Sequence, residues 1–292
     1  MNSKTVTLTA PAKINLFLEV LGKRPDGYHE LETVMQQIDL ADTLTLEETD
    51  EGIELTCTEP DIPCDETNLV WKAARVFQRQ VAVDTGVRVH LTKRIPVAAG
   101  LGGGSSDAAA MLKGMNALWE AGLSEPSLMD MAAELGSDVP FFIKGGTALC
   151  RGRGEIVTPL AVRHRFFYVL LYPDIKVSTA EVYGKLKIDL TREKKDVNFV
   201  LSALLSEDID TLNNSLFNRL ETVALELYPE LKGFKKLLEG FLQGGVLLSG
   251  SGSAIYGCCK NQKEAKNVKE ELNKRGVEKA FVVSSLSPAS LM

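Results

Sequence analysis

Apolar positions along this chain recur with two periods, and the period changes where one element gives way to the next. Ile14, Leu16, Leu18 and Val20 stand at every second position, the spacing of a half-buried strand. Arg24-Pro25-Asp26-Gly27 closes that run with a turn, because proline presets φ and glycine accepts positive φ. Alternation returns over Leu44 to Glu47 and Ile53 to Cys57, and Asp50-Glu51-Gly52 between them predicts a hairpin. From Asn68 to Gln80 the spacing is helical, with Leu69, Ala73, Val76 and Phe77 on one face. Val87 to Leu91 reads as a further strand.

A glycine-rich stretch follows, then a helix from about Ser106 to Trp119 with a buried stripe of Ala108, Met111, Leu112, Met115 and Leu118. A second helix starts near Ser124, carries Pro126 in its first turn and stops at Gly136. Thr147 to Arg151 is a strand, and Phe166 to Tyr172 has the aromatic and β-branched content of a buried one. Helices are expected near residues 197–205, 214–227, 230–242 and 263–274. Strands are expected near 245–249, 253–259 and 280–284, the first two joined by Gly250-Ser251-Gly252. Strands and helices mix without strict alternation, which argues for an α+β fold rather than a doubly wound sheet. The softest boundary, Gly152 to Arg163, predicts domains over residues 1–158 and 159–292.

Composition narrows the class. The 292 residues are 45% apolar and 25% charged, so apolar mass suffices for a core and disorder as the main state is excluded. A net charge of −6 leaves no basic excess to neutralise phosphates, so nucleic acid is not an expected partner. No run of about 18 apolar residues occurs, so no membrane span is expected. Met1 to Thr9 lacks the apolar core of a signal peptide, so no leader is expected. Cys57, Cys64, Cys150, Cys258 and Cys259 form no C-x-x-C pair and do not cluster with His29, His90 or His164. That pattern points to free thiols in the cytoplasm and away from structural zinc.

The strongest chemical signal is Pro96-Val97-Ala98-Ala99-Gly100-Leu101-Gly102-Gly103-Gly104-Ser105-Ser106, followed by Asp107. Its four glycines let the backbone approach a ligand closely, at an entropic cost that a plain turn would rarely carry. Ser105, Ser106 and Asp107 are suited to cap the helix that follows. A helix N-terminus offers unpaired N–H groups and partial positive charge, which makes the stretch a candidate phosphate site. It is not a P-loop, which needs a lysine after its glycines. Nor is it a dinucleotide fingerprint: Ser105 stands where the third glycine belongs, and Glu120, at the spacing of the ribose-binding acid, ends a helix.

Two other positions carry chemistry. Lys13 and Asn15 share the strand face opposite Ile14 and Leu16, where a solvated lysine is the usual outcome. Asp138 follows Gly136 and precedes Val139-Pro140, a place that suits either the cap of a short helix or a general base.

Three segments, in order, resemble the motifs of the GHMP kinases (galactokinase, homoserine, mevalonate and phosphomevalonate kinases). They are Ala10-Pro11-Ala12-Lys13-Ile14-Asn15-Leu16, the stretch from Pro96 to Ser106, and Leu248-Ser249-Gly250-Ser251-Gly252-Ser253-Ala254. Within that superfamily, Arg24 to Glu32, Gly136 to Phe142 and Gly145 to Glu155 resemble the members that act on 4-diphosphocytidyl-2-C-methyl-D-erythritol, in the non-mevalonate route to isoprenoids. The resemblance implies a two-domain fold, with a ribosomal S5 domain 2-like N-terminal domain and a ferredoxin-like C-terminal domain. It implies transfer of the γ-phosphoryl group of ATP, with Mg²⁺, to the 2-hydroxyl of the CDP-linked methylerythritol, by a monomer or homodimer.

It also implies roles. Asp138 accepts the proton of the substrate hydroxyl, and Lys13 pairs with Asp138 and stabilises the developing alkoxide or the transferring phosphoryl group. Pro96 to Ser106 hold the ATP phosphates. Asn15 binds the substrate near its hydroxyl. Tyr28 stacks on cytosine, His29 bonds its edge, and Tyr183 is the candidate for the other side of the stack, its alternative being a packed helix residue. Ser106 reads as a cap or as a contact to phosphate or Mg²⁺, and Gly250 to Gly252 as a plain turn or a phosphate-facing one. No side-chain ligand of Mg²⁺ is assigned. Two other functions remain open: a kinase for another small alcohol, which would need no base pocket at Tyr28 and His29, and an ATP-binding sensor, which should lack Lys13 or Asp138.

Overall fold

The structure, a computed structural model, describes residues 4–82, 85–187 and 194–287. The chain forms two compact units that interleave in sequence. The first draws on Met1–Ala12, Leu40–Ile95 and Gly102–Lys144, the second on Lys13–Asp39, Pro96–Leu101 and Gly145–Met292. Two long strands, β1 (Thr5–Lys23) and β2 (His29–Thr49), contribute to both.

The first unit adds β3 (Ile53–Cys57), α1 (Leu69–Val81), β4 (Gly86–Thr92), α2 (Gly103–Leu118), α3 (Glu125–Leu135) and α4 (Val139–Lys144). Strand β4 lies between β2 and β3, antiparallel to the one with Leu44 opposite Leu91 and parallel to the other with Leu55 opposite Val89. The hairpin expected at Asp50 to Gly52 is therefore absent. Gly52 does turn the chain at φ +80°, but both edges of β2 are taken, by β1 and β4, and β3 pairs with the far edge of β4. The α2 stripe is buried as expected, together with Val70, Ala73 and Phe77 of α1 and Phe141 of α4. Asn68 and Ser124 cap α1 and α3 by accepting from Val70 N and Ser127 N.

Helix α2 starts at Gly103, three residues earlier than the spacing predicts. Ser105, Ser106 and Asp107 lie inside it and do not cap it; the N-cap is Gly102, at φ +70° and without a side chain to offer. Ser106 Oγ instead donates to Pro11 O at 2.7 Å, and Asp107 accepts from Lys93.

The second unit adds β5 (Thr147–Gly152), β6 (Ile156–Pro159), β7 (Phe167–Leu171), α5 (Thr179–Lys185), α6 (Asn198–Ser206), α7 (Ile209–Ser215), β8 (Phe217–Asn218), α8 (Glu221–Leu227), α9 (Leu231–Glu239), β9 (Val246–Leu248), β10 (Ile255–Cys259), α10 (Gln262–Lys274) and β11 (Ala280–Ser284). Strand β5 pairs antiparallel with β2, and β8 pairs parallel with β1. A second, antiparallel sheet has the order β11-β7-β10-β9. Its core includes Val169, Leu171, Leu238, Leu248, Ile255 and Leu272. The helix expected over 214–227 is interrupted at β8, where Arg219 N donates to Leu18 O and the Asn218 side chain accepts from Leu220 N. Cys258 and Cys259 are packing residues of β10, and burial pushes both thiols up, that of Cys259 to about 12.

Strand β1 departs from the half-buried expectation. From Ala10 to Val20 every residue is buried, so the face bearing Lys13, Asn15 and Glu19 is as dry as the face bearing Ile14 and Leu16. Glu19 is matched there by a two-point pairing with Arg219, both contacts at 2.6 Å.

Candidate active site

Lys13 and Asn15 stand two residues apart on β1, hence on one face, with 5% and 2% exposure. A buried ammonium is costly unless hydrogen bonds replace its water. Lys13 Nζ donates to Asn15 Oδ1 at 2.6 Å, Asn15 Nδ2 to Thr33 Oγ1 at 2.9 Å, and Thr33 Oγ1 to Phe17 O at 2.6 Å. The chain of donors fixes the orientation of the Asn15 amide. The backbone is held as well, with Lys13 N on Leu101 O and Tyr256 OH on Asn15 O.

The turn between β9 and β10 lies against this pair: a Cβ on Gly250 would stand 3.3 Å from Asn15 Oδ1 and 3.6 Å from Lys13 Nζ. Asn218 supports the turn through its amide, which donates to Leu248 O at 2.9 Å and Gly250 O at 2.7 Å. Segment Pro96–Leu101 is stitched to the same turn. Ser249 Oγ donates to Gly100 O and Ala254 N to Ala99 O, while Tyr172 OH donates to Val97 O. Gly100 has φ +74°, and a Cβ there would fall 2.0 Å from Ser249 O, so only glycine fits.

In the first unit, Gly102 leads into α2, and Gly103, Gly104 and Ser105 supply first-turn N–H groups that precede any intrahelical acceptor. Ser106 turns its hydroxyl to Pro11 O, so its proton is committed to the chain, while its lone pairs remain acceptors. Asp138 is half-buried and immediately precedes α4. Two charged groups that sequence reasoning missed, Lys93 and Asp42, meet Asp107, read there as a cap, near the start of α2. Lys93 Nζ bonds to Asp42 Oδ2 and, at 2.7 Å, to Asp107 Oδ2. Burial pushes the Asp107 carboxyl up to about 7 against the pull of Lys93. Burial works to lower the Lys93 pKa, but Asp107 and Asp42 outweigh it and raise it. Nothing in the spacing distinguishes Lys93 from an ordinary solvated strand-end lysine.

The aromatic residues fall into two groups within the second unit. His29 and Tyr183 stack, with ring centroids 5.0 Å apart and planes 30° apart. Tyr28 is 52% exposed, with the Arg153 guanidinium 4.7 Å from its ring centroid. The structure thus brings Tyr183 to His29. Burial, aided by Lys23, lowers the His29 pKa, which favours the neutral ring with one donor and one acceptor nitrogen. Among the described residues there is no group of three or more His, Cys, Asp or Glu placed to hold a metal, and no helix long and apolar enough to cross a membrane.

Comparison with known proteins places this geometry. Residues 68–146 match the GHMP kinases N terminal domain and residues 200–278 the GHMP kinases C terminal domain. A 4-diphosphocytidyl-2-C-methyl-D-erythritol kinase of Shouchella clausii is 44% identical over 263 residues, 90% of this chain and 88% of that protein. One of Brevibacillus brevis is 44% identical over 283 residues, 96% of each. Among solved structures, a 4-(cytidine 5'-diphospho)-2C-methyl-D-erythritol kinase matches with TM-score 0.82 and 36% identity over 96% of this chain and 99% of that one. The homoserine kinase from Cytophaga hutchinsonii shares the fold, with TM-score 0.79 at 20% identity over 98% of this chain and 96% of that one.

Proposed function

The chain belongs to the GHMP kinases and is an ATP-dependent small-molecule kinase, and from that premise we propose that it phosphorylates the 2-hydroxyl of 4-diphosphocytidyl-2-C-methyl-D-erythritol. The bond between the γ-phosphorus and its bridging oxygen breaks, the acceptor oxygen takes the phosphoryl group, and ADP leaves. The hydroxyl proton passes to Asp138. A free alcohol is far too weak an acid to ionise beforehand, so the carboxylate acts as the new bond forms. Lys13, held by Asn15, supplies positive charge to the transferring group. Pro96 to Ser106 hold the phosphates through backbone N–H groups and the α2 N-terminus. Mg²⁺ enters with the nucleotide as part of the substrate and offsets phosphate charge.

The observation that carries the choice of acceptor is the aromatic group at the start of β2. The strand that supplies Thr33 to Asn15 also begins with His29, stacked on Tyr183 and preceded by Tyr28 and its Arg153. A small acceptor such as homoserine or mevalonate has no base for these rings to receive. The neutral His29 ring suits a cytosine edge, and the exposed Tyr28 ring is open to stacking. We assign the domains to residues 1–158 and 159–292; the two family matches fall one on each side of that boundary. Free cysteines support placement in the cytoplasm, and the assembly is taken as a monomer or homodimer.

A coupled ADP-release assay with Mg-ATP tests the reading, with the CDP-linked acceptor run beside homoserine and mevalonate. Turnover with the cytidine compound alone, lost in Asp138→Ala, is expected. Equal turnover with homoserine or mevalonate would overturn the acceptor assignment.

A further inference from the structure

The Lys93, Asp42 and Asp107 cluster has no part in the chemistry above, yet it takes three charges out of water. Their side chains are 7%, 0% and 3% exposed. Apolar replacements often stabilise a fold as well as such buried pairs, so stability alone does not account for the cluster. Its connections do. Asp42 Oδ1 accepts the backbone N–H groups of Arg94 and Ile95, at 2.5 and 2.9 Å, the residues that run directly into Pro96. Asp42 Oδ2 and Asp107 Oδ2 share the Lys93 ammonium, and Asp107 lies within the first turns of α2. A Cβ on Gly103 would stand 3.3 Å from Lys93 Nζ, so the ammonium sits directly beneath the start of the helix. Asp107 Oδ1, buried, meets no hydrogen-bond donor among the described residues, a defect that a purely structural cluster has no reason to retain.

We propose that Lys93, with Asp42 and Asp107, positions the phosphate-binding stretch by tying the backbone before Pro96 and the first turns of α2 to one ammonium. The inference rests on the reading that Pro96 to Ser106 bind ATP. All three are positioning residues: they set where the loop N–H groups stand and touch no reacting atom. Two buried acceptors on separate segments, bonded to one buried ammonium, hold both segments at fixed distance.

The test is ATP binding by calorimetry, in the absence of acceptor, with phosphoryl transfer measured separately. The double variant Lys93→Met/Asp107→Leu removes one charge of each sign and leaves Asp42 its two backbone donors. Because the buried Asp42 loses its ammonium, the variant is expected to unfold at a lower temperature than the wild type, and, assayed where it is fully folded, to bind ATP about tenfold more weakly, with the acceptor KM changed less than about twofold. Asp42→Asn, which alters the other arm without changing its size, is expected to weaken ATP binding in the same direction. Asp107→Asn keeps an acceptor for Lys93 and should bind ATP as the wild type does. Wild-type ATP affinity in both the double variant and Asp42→Asn would overturn the proposal. A wild-type protein that binds ATP but leaves the CDP-linked alcohol untouched would remove the acceptor assignment while the binding comparison still decides the clamp.

Discussion

Gly104→Ala separates a glycine kept for the chain from one kept for a ligand. Gly104 is the second residue of α2, lies at the surface and has no positive φ. A Cβ there would meet Leu69 Cδ1 at 3.6 Å, an ordinary contact, and no other described atom outside its own helix within 4 Å. The methyl group therefore costs the fold nothing, and the gain in helix propensity is up to about 1 kcal/mol, or about 2–4 °C in a chain of this size. Gly100→Ala is the contrast. Its methyl collides with Ser249 O at 2.0 Å in a left-handed backbone, an expected loss of about 2–4 kcal/mol from strain and overpacking together. For ATP the order differs. Displacing a phosphate oxygen from one N–H at the α2 terminus loses a charge-assisted hydrogen bond of about 1.5–3 kcal/mol, roughly 10- to 100-fold in affinity. Calorimetric titration with ATP beside thermal unfolding reads both quantities. Gly104→Ala should unfold at or above the wild-type temperature, bind ATP at least about tenfold more weakly and keep its acceptor KM. Unchanged ATP affinity in that folded variant would refute the claim that this backbone approaches phosphate.

Four further outcomes are expected. Asp138→Asn should lower kcat by about 10²- to 10⁴-fold with little change in ATP affinity, read by ADP release; a rise in KM at intact kcat would contradict its role as base. Asn218→Asp keeps the acceptor for Leu220 N but sets an anionic oxygen against Leu248 O and Gly250 O, so urea unfolding should show a loss of about 3 kcal/mol, and kcat should fall more than KM because Gly250 borders Lys13 and Asn15. Burial would raise the Glu19 pKa, but Arg219 and the N–H groups of Lys195 and Val20 outweigh it and lower it, so its stabilisation is present above the unfolded carboxylate pKa and lost as pH falls through the folded one. Glu19→Gln should accordingly be less stable than wild type at neutral pH, and the difference should shrink on acidification; a constant difference would argue against the ion pair. With the His29 pKa below the ordinary imidazole value, acceptor binding measured directly should stay level from neutral pH upward and weaken under acid as the ring gains a proton, and His29→Asn should remove that weakening.

Much of this was legible in the residues because its causes are local. The helix starts near Asn68 and Ser124, the stop at Gly136 and the α2 stripe follow from periodicity and from proline and glycine placement. What was missed depends on partners far away in the chain. The Asp50 to Gly52 turn looks like a hairpin until β4, thirty residues on, takes the edge of β2. The break at Phe217 and Asn218 comes from pairing with β1, about two hundred residues earlier, which no local window contains. The early start of α2 has a different cause: glycine propensity argues against helix, but Ser106 and Asp107 are bound to Pro11 and Lys93 and so are withdrawn from capping. At the site, Lys13 and Asn15 were visible as a shared face, whereas their burial was not, since alternation alone cannot say that both faces of a strand are covered. Lys93 and Asp42 carried no local mark at all.

The interleaving of the two units sets a timetable for synthesis. The last segment of the first unit ends at Lys144, so that unit can close as soon as those residues have left the ribosome. The Lys13–Asp39 segment belongs with residues that come later, up to β11, which ends at Ser284. At about 5–20 residues per second, the catalytic-face half of β1 waits on the order of ten seconds for β8 and the β9–β10 turn. During that interval the nascent chain displays a long apolar strand that has β2 on one edge but lacks β8 on the other, an open edge of the kind that holdase chaperones cover. Slower translation across residues 145–284 should therefore prolong the vulnerable period, and the yield of soluble enzyme should track elongation speed there more closely than over the first half of the message.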